Sequence, residues 1–153
     1  MGGKQSTASQ RGRPAGSGVV WPSAKTVYAL RACEVLLAAY PHRRLKASEI
    51  AAASKVPLRF LSKILGELRT ANILAAKRGY YGGYAFARDP REITLAELMR
   101  AIDGYDLFAP LSPERLQPRV AFVDELRDTL ARVARDALGA TSIAALTDVP
   151  SGG

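Results

Sequence analysis

The segment Arg78-Gly79-Tyr80-Tyr81-Gly82-Gly83-Tyr84-Ala85-Phe86-Ala87 limits the fold more than any other stretch of the chain. Apolar residues on both sides of three glycines specify two short strands and a tight turn. Glycine reaches φ > 0 without steric cost and lets the backbone come close to a neighbour. Helical patterns stand before and after, so this is a small hairpin appended to helices, and Lys77 and Arg78 give it a basic opening. A nucleotide-binding loop would need a helix directly after the glycines. Tyr84-Ala85-Phe86 continues as a strand instead. On the hairpin alone, a wing that reaches DNA and a structural hairpin with no partner are both open.

The helices around it narrow the choice. A first helix starts after Ser23 as N-cap and runs to about Ala39, with Leu30, Cys33, Leu37 and Tyr40 on one apolar face and Pro41 ending it. Cys33 on that face reads as a small buried hydrophobe rather than a redox thiol. A second helix spans roughly Ala47 to Ala53. Ser54-Lys55-Val56-Pro57 breaks the pattern, and Pro57 marks the start of a third helix. Leu58, Leu61, Ile64, Leu65 and Leu68 line its inner face, leaving Arg59, Ser62, Lys63 and Glu67 outside. Two short helices about a tight turn form a helix-turn-helix, whose second helix meets base edges with its amino-terminal part. Gly66 inside that helix costs about 1 kcal/mol against alanine, and close packing is the expected reason. The wing strands are expected at Leu74–Arg78 and Tyr84–Arg88. Thr94 and Glu97 suggest a reciprocal capping box for a fourth helix that ends at Gly104. A fifth helix is expected from about Pro118 to Leu138, stopped by Gly139, with Thr141-Ser142 capping a short last one. Val123, Leu126, Leu130, Val133 and Ala137 recur along the fifth at alternating spacings of three and four. That is a coiled-coil-like seam and suggests dimerisation; packing on the first helix is the competing reading.

Charge agrees with a polyanionic partner. The net charge of +8 is divided unequally: residues 1–91 hold 16 of the 22 Lys and Arg against 4 acidic residues, while residues 92–153 hold 6 against 10. No apolar run reaches the roughly 18–20 residues that span a bilayer, and the amino terminus lacks a signal-peptide core. The expectation is a soluble cytoplasmic protein with no membrane partner. A single cysteine excludes an internal disulfide. One Cys, one His and no spaced carboxylate pair leave no acid–base or nucleophilic constellation, so an enzyme is not expected. Residues 1–20 have the composition of a disordered basic arm, within which Arg11-Gly12-Arg13-Pro14 is similar to an AT-hook core.

Lys25-Thr26-Val27-Tyr28, Phe60-Leu61-Ser62-Lys63-Ile64-Leu65, Arg78-Gly79-x-x-Gly82-Gly83-Tyr84 and Ile93-Thr94-Leu95 occur in an order that resembles one family. It is the family of bacterial winged-helix regulators that includes the iron–sulfur-cluster assembly regulator, the nitric-oxide-sensing repressor and the cysteine-metabolism repressor. The resemblance spans about residues 23–147. It implies a homodimer on a palindromic double-stranded operator, with the third helix in the major groove and the wing in the minor groove. Base-reading positions then fall on Pro57, Arg59, Ser62 and Lys63, and the wing arginine on Arg78, with Lys77 beside it. A phosphate-contacting lysine falls on Lys25, with Tyr28 one turn on. Tyr80 and Tyr81 replace the usual small turn residues; they can stack on sugar, wedge beside bases, or pack on the fourth helix. Many members hold an iron–sulfur cluster on three cysteines in the loop before the dimerisation helix. Here that loop has no Cys and no His, so no metal and no cofactor is expected.

The fold class is therefore mostly α with a small β-hairpin wing: a winged helix-turn-helix at 21–103 and a long dimerisation helix within 118–148. The loop at 104–117, with Tyr105, Phe108 and Leu111, is expected to be a sensor for a small-molecule or protein effector, and 149–153 is a tail. The function expected is a sequence-specific DNA-binding transcriptional regulator, a homodimeric cluster-free repressor. The alternative is a dimeric ligand- or partner-binding module that has lost specific DNA binding.

Overall fold

A computed structural model of the protein describes residues 22–104 and 121–148. The AT-hook-like strip, nearly all of the 104–117 loop and the tail lie outside the described residues.

Ser23 caps helix α1 (Ala24–Ala39) by accepting the Thr26 N–H at 3.1 Å. Its hydroxyl also donates to Asp103 at 2.7 Å, and the buried Thr26 hydroxyl donates to the other Asp103 oxygen at 2.8 Å. The start of α1 is thereby tied to the end of helix α4 (Leu95–Asp103). The buried face of α1 differs from the expected one. Ala29, Ala32, Cys33 and Leu36 are buried, Leu30 and Leu37 only partly so, and Tyr40 is exposed as the C-cap. The reason is that α1 packs on α2, α3 and α4 together. Alanines let three helices approach one, but they contribute little to an apolar pattern.

Helix α2 (Ala47–Ser54) runs one residue past expectation and ends with Lys55 in the left-handed region at φ 56°. Val56, buried in the core, and Pro57 complete the turn into helix α3 (Leu58–Thr70). Leu61, Ile64, Leu65 and Leu68 of α3 are buried as expected. Leu58 is not: it is 47% exposed, because it stands in the first turn, at the edge of the domain. Asn72, at φ 58°, turns the chain back, and the Ile73 N–H donates to the Leu68 carbonyl at 3.0 Å. Asparagine tolerates this conformation better than most residues.

Strands β1 (Leu74–Lys77) and β2 (Gly83–Phe86) pair antiparallel with Leu74 opposite Phe86 and Lys77 opposite Gly83. Arg78 lies outside the ladder, in the turn, and Gly83 inside it, a shift from the expected bounds. A 3-10 turn at Pro90–Glu92 leads to α4. Thr94 accepts the Glu97 N–H at 3.1 Å. The return half of the capping box is replaced, because the Glu97 carboxylate accepts from Arg88, which also donates to the Asn72 carbonyl at 3.2 Å. One arginine so joins the end of the wing to the end of α3 and the start of α4. Helix α5 (Ala121–Ala140) continues through Gly139 and packs on α4. The chain after it returns to the core. The Leu95 N–H donates to Thr141 at 2.9 Å, the Ile143 N–H to Ile93 at 2.8 Å, and Ile143 is fully buried.

Candidate nucleic-acid interface

The outward face of α3 is set by its buried one. With Leu61, Ile64, Leu65 and Leu68 turned inward, positions 59, 63, 66 and 70 point the opposite way. Arg59, Lys63 and Thr70 are exposed. The Arg59 guanidinium lies 4.5 Å from the Phe60 ring centroid, and the Phe60 ring is 6.5 Å from that of Tyr28. Tyr28 is thus half-buried behind the helix start, supporting Phe60 rather than standing forward. Ser62 is exposed, and its hydroxyl donates to the Leu58 carbonyl at 2.9 Å, which leaves its lone pairs as acceptors. Pro57 is exposed at the N-cap.

The wing stands beside this helix and is braced by three consecutive residues before α2. Leu45, in the α1–α2 connection, bridges Tyr84 with hydrogen bonds of 3.0 and 2.7 Å. Arg44 donates to the Ala75 carbonyl at 3.3 Å, and Lys46 reaches the Gly79 carbonyl at 3.1 Å. Two glycines make this possible. A Cβ on Gly82 would stand 2.2 Å from the Lys77 carbonyl oxygen, and one on Gly83 would stand 2.6 Å from that of Leu45. The turn closes with the Gly82 N–H donating to Gly79 at 3.0 Å. Its two central residues, Tyr80 and Tyr81, are 86% and 85% exposed and meet each other edge to face at 4.9 Å. They do not pack on α4.

The cations differ in what holds them. Lys25, Arg43, Arg88 and Arg91 are paired with Glu67, Glu49, Glu97 and Asp89. Arg59, Lys63, Lys77 and Arg78 are exposed and have no carboxylate partner among the described residues. Arg31, Lys55 and Arg69 are also exposed without a carboxylate partner among the described residues. Lys25, the residue expected to contact phosphate, has its ammonium 2.7 Å from Glu67 and 3.2 Å from the Ile102 carbonyl. Arg44 and Lys46 were missed by sequence reasoning. Their link to the wing spans more than thirty residues, and no local pattern announces it.

On α5, Leu126, Leu130 and Val133 are 48%, 55% and 58% exposed, and Ala137 is exposed too. Phe122, not foreseen in the seam, is 72% exposed on the same face. The Val123 side chain lies outside the described residues. No helix among the described residues is long and apolar enough to cross a membrane.

A family profile named Rrf2, described as iron-dependent transcriptional regulator, matches residues 22–148. Rv1287 of Mycobacterium tuberculosis H37Rv, named as an HTH-type transcriptional regulator, is 43% identical over 82 residues, covering 54% of this chain and 51% of that one. The chain thus spans about half the length of the first curated relatives it matches. BadM of Rhodopseudomonas palustris, also named as an HTH-type regulator, is 34% identical over 115 residues, covering 74% and 72%. The solved structure of CymR of B. subtilis, titled the global cysteine regulator, superposes with a TM-score of 0.73 at 22% identity, covering 84% of this chain and 97% of that one. IscR of T. potens superposes with a TM-score of 0.66 at 20% identity, covering 85% and 92%. At such identities the two structures speak to the fold alone.

Proposed function

This chain belongs to the Rrf2 family of winged-helix transcriptional regulators, and from that premise we propose that it is a homodimeric, sequence-specific repressor that works without an iron–sulfur cluster. The observation that carries the DNA-reading mechanism is the placement of four exposed cations on one helix stripe and the neighbouring wing. Arg59 and Lys63 stand on the outward stripe of α3 and Lys77 and Arg78 on the braced wing, all without carboxylate partners among the described residues. A helix amino terminus of that kind fits the major groove, and an arginine on a glycine-rich turn fits a narrow minor groove. Pro57, Ser62, Tyr80 and Tyr81 complete the proposed DNA-facing set. Tyr28 acts through Phe60, and Lys25 through its hold on Glu67.

The family description names iron, and the donor set of this chain does not fit a cluster. Cluster ligands are thiolates as a rule. The sequence holds one cysteine, and Cys33 is fully buried in the core, where burial pushes its thiol up to about 12. The sole histidine, His42, is exposed beside Pro41. Residues 104–117 contain neither Cys nor His. We assign them instead to a small-molecule or protein effector.

Selection of duplexes from a random-sequence pool tests the reading. Wild-type protein should recover a palindromic sequence. Arg59→Ala or Lys63→Ala should cost about 1–3 kcal/mol and relax preference at one position of each half-site. Arg78→Ala should weaken discrimination of minor-groove width. If all three variants bound the recovered duplex as tightly as wild type at physiological salt, the mechanism would be wrong.

A further inference from the structure

Helix α3 carries one glycine, Gly66, in its interior, where glycine costs about 1 kcal/mol relative to alanine. Two intramolecular reasons could retain it, and neither applies. The backbone there is not left-handed. No neighbour presses on it either: a Cβ added to Gly66 would meet nothing within 4 Å. The expected close packing inside the chain does not exist among the described residues.

The position of Gly66 supplies a third reason. Spacings of four, three and four place Arg59, Lys63, Gly66 and Thr70 on the stripe opposite the buried leucines. Gly66 is the one position on that stripe without a side chain. Seven residues separate it from Arg59, roughly 10 Å along the axis at about 1.5 Å per residue. The major groove is about 8.5 Å deep and 12 Å wide. When a helix enters by its amino-terminal end with Arg59 on base edges, Gly66 therefore stands at the groove's lip, beside the sugar–phosphate strand.

We infer that Gly66 is a close-approach residue: its missing side chain lets the backbone of α3 lie against the phosphate wall. This rests on the DNA-reading mechanism above and adds a positioning residue to it. The role is steric and falls on the backbone, so it is independent of base sequence.

The test uses the full chain, the duplex recovered by wild type from the random pool, and an unselected duplex of equal length. Gly66→Ala and Gly66→Gln are compared with Arg59→Ala. Both Gly66 variants should raise the thermal unfolding midpoint, since each is a better helix former meeting open space. Both should weaken binding to the selected and unselected duplexes alike, Gln more than Ala, with a loss on the order of tenfold for Gln, equivalent to about 1.4 kcal/mol. Opposite signs in stability and affinity are what a merely structural glycine would not produce. If Arg59→Ala loses affinity while both Gly66 variants bind as wild type, the close-approach role is overturned and the DNA-reading mechanism stands. If wild type recovers no duplex, that mechanism falls and this role with it. A midpoint lowered by Gly66→Ala would overturn the open-space premise.

Discussion

Lys25 shows how one neighbour decides what a charged residue does. It stands near the start of α1, facing α3, yet its ammonium lies 2.7 Å from Glu67. Partly exposed pairs of this kind contribute about 0–1 kcal/mol, so the pair matters more for fixing α3 against α1 than for stability. Ser62 makes a similar point. Its hydroxyl hydrogen goes to the Leu58 carbonyl, so a base edge would meet it as an acceptor, suited to an amino group. Cys33 yields a prediction. Burial alone raises its thiol to about 12, whereas the unfolded thiol titrates at about 8.5. The folded pKa is the higher one, so this contribution to stability is fully present below the unfolded value and is lost progressively as pH rises from there through the folded one. At pH 8 the native protein should react with a disulfide-exchange reagent far more slowly than the protein in denaturant. Material purified without oxygen should be colourless. Rapid stoichiometric labelling of the native thiol, or a visible cluster spectrum, would contradict this account.

The wing is an element held by parts distant in sequence, and its braces can be tested. Gly83 lies at φ 130°, with the Leu45 carbonyl oxygen 2.6 Å from where a Cβ would stand. Backbone cannot yield as a flexible side chain does, so Gly83→Ala should destabilise by about 1–3 kcal/mol through strain or loss of the Leu45–Tyr84 bridge. Gly139→Ala is the control, because it meets open space on helix α5 and should be neutral or stabilising. Urea unfolding midpoints of the two variants check both expectations; equal midpoints would remove the brace argument. This element also shows what a sequence can carry. The α3 stripe, the Ser23 and Thr94 caps and the glycine turn are local patterns and were legible. The Leu45 bridge, the Lys46–Gly79 hydrogen bond and the diversion of Glu97 to Arg88 are long-range or competitive interactions, which no local pattern encodes. The face of α1 was misassigned because a helix surrounded by others buries alanine, and alanine contributes little to periodicity. Leu58 was misassigned because a first-turn position can satisfy the stripe and still stand at the domain edge.

At the scale of the molecule, the helix-turn-helix half carries the excess positive charge and α5 carries exposed apolar surface. Phe122, Leu126, Leu130 and Val133 share one face of α5 and are between 48% and 72% exposed. A cluster of large apolar residues left in water on one helix is costly unless something covers it. In the proposed homodimer a second copy of the chain covers it, in keeping with the proposed function. A dimer places two α3 helices and two wings on one duplex, and half-sites about one helical turn apart follow from its two-fold axis. Leu126→Asp with Leu130→Asp should make the protein monomeric at micromolar concentration. Their side chains are about half exposed, so the fold of each copy should survive, with its thermal midpoint near that of wild type. Affinity for the selected palindrome should fall, because each monomer keeps only one half-site. The dependence of affinity on salt should flatten as well, by about 0.9 in the log–log slope for every phosphate that the second copy had neutralised. Sedimentation of wild type as a monomer, both free and on DNA, would remove the dimer from this mechanism and leave the α5 face to another partner.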